Sequence, residues 1–519
     1  MCILKGLTVS EPRGMRNSAP IRRLWARARR VWPEIIPDPS QARDLAFWQS
    51  KDKEKNLESS PPDGEFIDLH CIWAVEFYTP AHIASLLDGL SKLGWDKDDD
   101  RVGSDPISWI RGLRERSHGG GWLNLGPIVR PGDRRFLSSA RQASLPFGID
   151  YATGEIFSLT SSLTCIVIGF VFDEHRSKLF DRAIREPRET YFERHGRGYS
   201  IHQPENQKIE AIKSARASFR TDAYNWFRLN LPGLFSSSAG EGELPICEFV
   251  TLRSGSPFPH RGSQVKPQLY LHILDMRDAY EIWRSEDVDG LKFAWPLLRS
   301  SDNDVFHSVL VSKEDAFADE QIKAYGSTIR SRLFGFIDAR IKGLLSRWAL
   351  VSLITSLERG LNRVRDSGVF QQSQKRNLLP LLNAVSSLVS RGVNIAAVAS
   401  ELSSFANRPS SFLYEVHPFR AVDEKLYGGR KIALGERLRE ETTTRAGALG
   451  KLDKSVRDLM VQYSGVLAAR ENIKLQKSLG RLTWVLVILT IAVVLLTGIL
   501  TYDPVTRFLG PGPQDLKPS

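Results

Sequence analysis

Ser117-His118-Gly119-Gly120-Gly121 comes nearest to a catalytic loop, since glycines beside a histidine can aim backbone N–H groups at a developing negative charge. No Gly-x-Ser-x-Gly elbow accompanies it, so the run reads as a flexible turn. Asp98-Asp99-Asp100 offers oxygen ligands to a hard cation, but adjacent carboxylates on a loop read as a solvated face. His70, His175, His195 and His202 show no paired ligand spacing. A Walker A loop, an HExxH motif and a dinucleotide fingerprint are all absent. No catalytic, metal-binding or cofactor-binding residue emerges, and the residue types name no cofactor. One polar pattern remains: Thr483, Thr490 and Thr497 lie seven apart, hence close to one helical face, with Thr501 a turn further on. Such hydroxyls can line a pore or bond across a helix interface; the simpler reading has each bonding its own i−4 carbonyl.

Those threonines sit in Leu482 to Tyr502 (LTWVLVILTIAVVLLTGILTY), a run without one charged side chain. It matches the roughly 20 residues a helix needs to cross a bilayer core, and Trp484 and Tyr502 bracket it as interfacial aromatics. The lipid bilayer is therefore the expected partner, with a single span carrying no ionisable residue for an ion or proton relay. Arg470, Lys474, Lys477 and Arg481 precede the run against Arg507 and Lys517 after it, which places the N-terminal body in the cytosol, at a plasma (inner) membrane.

Composition agrees with that placement. Cys2, Cys71, Cys165 and Cys247 form no CxxC pair, no Asn-x-Ser/Thr site occurs, and no apolar segment resembling a signal peptide opens the chain. A net charge of +11 and a pI near 9.4 invite a nucleic-acid reading. The basic residues are nevertheless spread among 60 acidic ones, so no specific nucleic-acid binding is expected. Arg22, Arg23, Arg27, Arg29 and Arg30 are the one dense cluster, suited to anionic headgroups or to a solvated tail.

The elements that must position these groups divide the chain. Residues 1–64 read as a disordered, basic, proline-rich segment closed by Ser59-Ser60-Pro61-Pro62-Asp63-Gly64. Residues 65–312 read as an α/β (or α+β) cytosolic domain. Within it, Leu69 to Tyr78 predicts a strand, Ala81 to Leu93 a helix, and Ser158 to Phe172 one strand or a pair. Glu205 to Phe227 predicts an amphipathic helix, and Leu244 to Leu252 and Gln268 to Leu274 further strands. Residues 313–481 read as a long-helix bundle or stalk, broken at Ser367-Gly368, with a helix from Asn377 to about Phe405 and a second break at Gly428-Gly429. Residues 482–502 form the transmembrane helix, and 503–519 a short non-cytosolic tail.

Leu449, Leu452, Val456, Leu459, Tyr463 and Val466 alternate steps of three and four along the last helix. That seam serves either a homo-oligomer through stalk and span or packing onto the chain's own preceding helices.

The stretch Glu471-Asn472 to Asp503 resembles the first membrane helix of CorA-type magnesium transporters, as do the preceding α/β domain and long helices in their order. The family's long cytosolic helix carries an asparagine, then a Leu-Thr pair and an apolar run closed by Gly-Ile-Tyr-Gly-Met-Asn; here stand Asn472, Leu482-Thr483 and Gly498-Ile499-Leu500-Thr501-Tyr502-Asp503. Thr501, Tyr502 and Asp503 thus occupy the positions of the Gly-Met-Asn signature, which in that family forms the mouth that captures hydrated magnesium. The resemblance implies a CorA-like sensing or binding domain on a single span. A degenerate divalent-cation channel and an anchored enzyme of unrecognised class are the alternatives.

Overall fold

The computed structural model describes residues 39–96, 105–116, 120–133, 140–195, 198–238, 241–258, 268–276, 280–296, 306–314, 317, 322–373 and 395–508. The arginine cluster at 22–30, Asp98 to Asp100, Ser117 to Gly119, residues 374–394 of the helix expected from Asn377, and the tail from 509 lie outside them.

β1 (Ile67–Tyr78, IDLHCIWAVEFY) is dense in aromatic and β-branched residues, and all but Asp68 are buried. A strand apolar on both faces needs cover on both faces. It sits near the middle of a sheet with β2 (Gly121–Val129), β3 (Arg141–Gln142), β4 (Ile149–Ser158), β5 (Thr164–Phe172), β8 (Ile246–Leu252), β9 (Tyr280–Ser285), β10 (Lys292–Pro296), β11 (His307–Lys313) and β12 (Phe419–Ala421). The order is β12-β9-β10-β11-β8-β1-β5-β4-β2-β3. Neighbours run antiparallel except β11 beside β8 and β2 beside β3. β6 (Tyr191–His195) and β7 (Gly198–His202) pair separately as a hairpin.

Four long helices matter for the argument: α1 (Pro204–Asn230), α2 (Ile329–Ser373), α3 (Ile395–Ala406) and α4 (Leu434–Phe508). Adjacent residues of β8 assign the first two to opposite faces. Cys247 pairs with Trp73, whose Nε1 donates to Asp338 of α2 at 2.8 Å, while its neighbour Glu248 accepts from Arg216 of α1 at 2.6 Å. Trp73 fits only because residue 169 opposite it is glycine; a Cβ there would meet its indole at 2.8 Å. Phe172 and Phe219, 4.9 Å apart, and Phe170 and Trp226, 5.5 Å apart, fill the α1 face. Each fully buried ring contributes roughly 1.5–3 kcal/mol. The body is a helix–sheet–helix sandwich of mixed α/β topology.

Several expectations need correction. Disorder does not extend to residue 64, because Pro39–Gln49 and Asp52–Ser59 are helices. They are held by polar bonds that leave no apolar pattern in sequence: Asp52 accepts from Thr190 N at 2.8 Å, and Asn56 exchanges bonds with the backbone of Arg188. Lys208 of α1 donates to Ser59 Oγ at 2.9 Å. Gln268 to Leu274 holds a helix, Leu269–Ile273, closed by Asp275 at φ 60 with its N–H on His272 O. α2 continues through Ser367-Gly368, since one helical glycine costs only about 1 kcal/mol. The 313–481 region is not a stalk throughout, for β12 within it joins the sheet edge at β9 and α2 packs on β1 and β5. The break at Gly428-Gly429 is present, both at positive φ.

Candidate functional site

α4 begins inside the body. Leu434, Leu438, Ala446, Leu449 and Val456 are buried, and the helix packs on α2 and α3. Arg445 pairs with Glu358 of α2, fixing its rotation. The heptad seam therefore starts as an internal contact: Leu449 and Val456 are core, Leu452 packs against it and Leu459 is half-buried. Tyr463 and Val466 are helical in backbone, their side chains outside the described set. Beyond the body the described side chains of the helix are exposed: Val461 is 70% exposed, and no residue of Asn472–Gly498 is buried, a stretch whose most apolar 18 residues have a mean hydropathy of 2.4. Thr483, Thr490 and Thr497 donate to Leu479 O, Leu486 O and Val493 O at 2.9, 2.8 and 2.7 Å. Thr501, Tyr502 and Asp503 continue the helix, with side chains outside the described set.

The buried carboxylates Glu248, Asp338 and Glu76 tie elements of the body together. Glu248 is bidentate with Arg216 and lies 3.3 Å from His307. Burial opposes its ionisation, but Arg216 and His307 outweigh it and hold the carboxyl at about 2. Asp338 accepts from Trp73, from Thr153 Oγ1 at 3.0 Å and from Lys342 Nζ at 2.6 Å, joining α2 to the sheet. Glu76 accepts from the N–H groups of Phe77, Phe235 and Ser236. Burial pushes it up to about 7 against those bonds.

A Ser-His-Asp constellation exists that spacing in sequence does not reveal. Ser285 Oγ lies 2.8 Å from His417 Nε2, and His417 Nδ1 lies 3.9 Å from Asp287 Oδ2. Burial keeps His417 below its ordinary range, so its neutral ring can accept the serine proton. Ser285 Oγ, however, already accepts the N–H groups of Asp287 and Val288, at 3.3 and 3.0 Å. A nucleophile needs that lone pair and an open approach. The group works as a turn cap at the end of β9.

A cavity of about 470 Å³ opens between β2, β4, α2 and the turn after α3. Gly120, Gly121 and Trp122 form one lip, Phe157 and Phe405 the walls, Ser410, Ser411, Tyr414 and Glu415 the other lip, and Arg347 the floor. Arg347 is 4% exposed. It donates to Phe412 O at 3.1 Å, Tyr414 O at 3.2 Å, Ser346 Oγ at 2.8 Å and, more weakly, Gly343 O at 3.5 Å. No described carboxylate lies within ion-pairing distance of it. Phe157 and Phe405 stand 5.6 and 5.8 Å from the guanidinium. Burial lowers its pKa to about 10, against the pull of neighbours that include Glu155 and Glu415. The lip is held in place because Gly343 lacks a Cβ, which would sit 2.0 Å from Glu415 O. Glu401 of α3 fixes the back, accepting from Thr160 and Ser162 hydroxyls at 2.5 and 2.6 Å.

Of the residues singled out in sequence, Gly120 and Gly121 reach this cavity, whereas Ser117, His118 and Gly119 lie outside the described residues. His70 bonds Thr251 at 2.7 Å, His202 pairs with Glu193, and Arg182 hydrogen-bonds His175 at 2.8 Å; the His195 side chain is outside the described set. Among the described residues no cluster of three His, Cys, Asp or Glu could hold a metal ion. Arg347 gave no sequence signal, being one arginine among many on a helix. No family model matches the chain, and no curated protein or solved structure matches it, so these comparisons neither support nor oppose the resemblance to CorA-type transporters.

Proposed function

We propose that this chain is a single-span membrane protein whose cytosolic α/β body is a binding domain. The supporting observation is the residue run 482–498, without a charged side chain on any face and exposed throughout, on a body whose core closes without it. A helix apolar all round finds its medium in lipid, and Lys474, Lys477 and Arg481 on the body side favour a cytosolic body. From Val461 to Leu482 the described side chains are exposed, so at 1.5 Å per residue this stretch of helix spans about 30 Å between body and bilayer. Binding is favoured over catalysis because Ser285 with His417, a nucleophile–base pair near an acid among the described residues, is spent on a turn. Binding also has a cavity to occupy. The resemblance to CorA-type transporters fits a sensing body, while the threonine hydroxyls, donated to their own helix, give a cation pathway no support.

Alkaline carbonate extraction of membranes carrying the full chain tests the anchor. Retention in the pellet is expected; release of the chain into the supernatant would refute the span.

A further inference from the structure

The cavity above Arg347 has the chemistry of a site for one ligand class. A buried guanidinium is costly unless its charge is met, and here four neutral oxygens meet its N–H groups while Glu155 and Glu415 act on it only at a distance, with no direct ion pair among the described residues. Of its five N–H groups, one on Nη2 has no described acceptor. Ser410 and Ser411 line the same cavity. Around this polar end the walls are flat and apolar: Phe157 and Phe405 inside, Trp122 and Tyr414 at the mouth, the last two 42% and 54% exposed. A volume of about 470 Å³ lies within the range that holds small ligands, which runs from roughly 300 to 1,000 Å³. Glu415 on the lip sets a limit on charge, since a second negative charge on the ligand would face its carboxylate.

We infer that the cavity binds a small organic monoanion with a flat ring, an aryl carboxylate, its carboxylate on Arg347 and the serine hydroxyls and its ring between the aromatic walls. This rests on the reading of the body as a binding domain and names its ligand class. An arginine can give a carboxylate both charge and directed N–H bonds, and aromatic walls reward a planar body.

Calorimetry of the full chain in lipid nanodiscs with three probes tests this: benzoate, its neutral analogue benzyl alcohol, and the dianionic phenyl phosphate. Benzoate is expected to bind, with benzyl alcohol at least about tenfold weaker and phenyl phosphate weaker than benzoate. Arg347→Gln should weaken benzoate about tenfold or more. Because Arg347 also holds the lip, Trp122→Ala serves as a second variant on a half-exposed wall, with an expected loss of about threefold to tenfold and an unchanged melting temperature. Absence of benzoate binding at about 1 mM, equal affinity for benzyl alcohol, or unchanged affinity in Trp122→Ala would each overturn the inference. A chain that resists carbonate extraction yet ignores benzoate would retire the ligand and leave the anchor standing.

Discussion

From Leu434 to Val456, α4 contributes Leu438, Ala446, Leu449 and Val456 to a core, while from Asn472 to Gly498 the same helix leaves Ile488, Leu489, Val493 and Leu496 exposed. The backbone is the same in both; the opposite face differs. In the first segment Glu440, Lys451, Lys454 and Arg457 point to water, so one stripe suffices to bury the apolar side. In the second, from residue 482 to 498, no charged stripe exists, and none of these side chains is buried against the body. The comparison separates a helix that folds onto a protein from one that needs an apolar solvent.

The comparison breaks most visibly if charge is placed in the second segment. Leu489→Asp with Val493→Asp should cost about 5–7 kcal/mol of insertion and move the chain out of the carbonate-resistant pellet, with the body's melting temperature unchanged. Inside the body, Glu248 keeps its charge because Arg216 meets it. Arg216→Met, which strands Glu248, should cost about 3–5 kcal/mol by chemical denaturation. The pH dependence has a definite sign. The folded-state pKa of Glu248 lies near 2, below its ordinary 4.5, so its contribution is present above about 4.5 and is lost as pH falls through 2. Glu248→Gln should flatten that acid limb.

A smaller effect sharpens the boundary along α4. Leu449→Ala should cost about 2–5 kcal/mol, and Leu479→Ala no more than about 0.5 kcal/mol; equal losses would place Leu479 in a core too. Smallest of all, Thr490→Val should leave membrane retention unchanged and stability within about 1 kcal/mol, since its hydroxyl serves its own helix.

β1, β5, α1 and α4 were legible in sequence because their periodicity is long and their composition one-sided. The strand order was not, since it depends on pairings such as Trp73 with Cys247 that no local pattern encodes. β12 was invisible for a simpler reason: three residues, Phe419 and Ala421 buried about an exposed Arg420, are too few to show a period. The two N-terminal helices were hidden because polar side chains such as Asp52 and Asn56 hold them, and those residues read as disorder. The cavity was half legible: Gly120-Gly121 stood out as a motif, but for an oxyanion loop. Arg347, Phe405 and Tyr414 reach the same space from three elements and carry no common spacing.

The central claim is that α4 leaves water between the body and residue 498. Single cysteines at Val461 and at Val493, reacted with a membrane-impermeant maleimide in sealed proteoliposomes, test it directly. Rapid labelling is expected at 461 and none at 493, whereas equal labelling at both positions would place the apolar segment in water and refute the anchor.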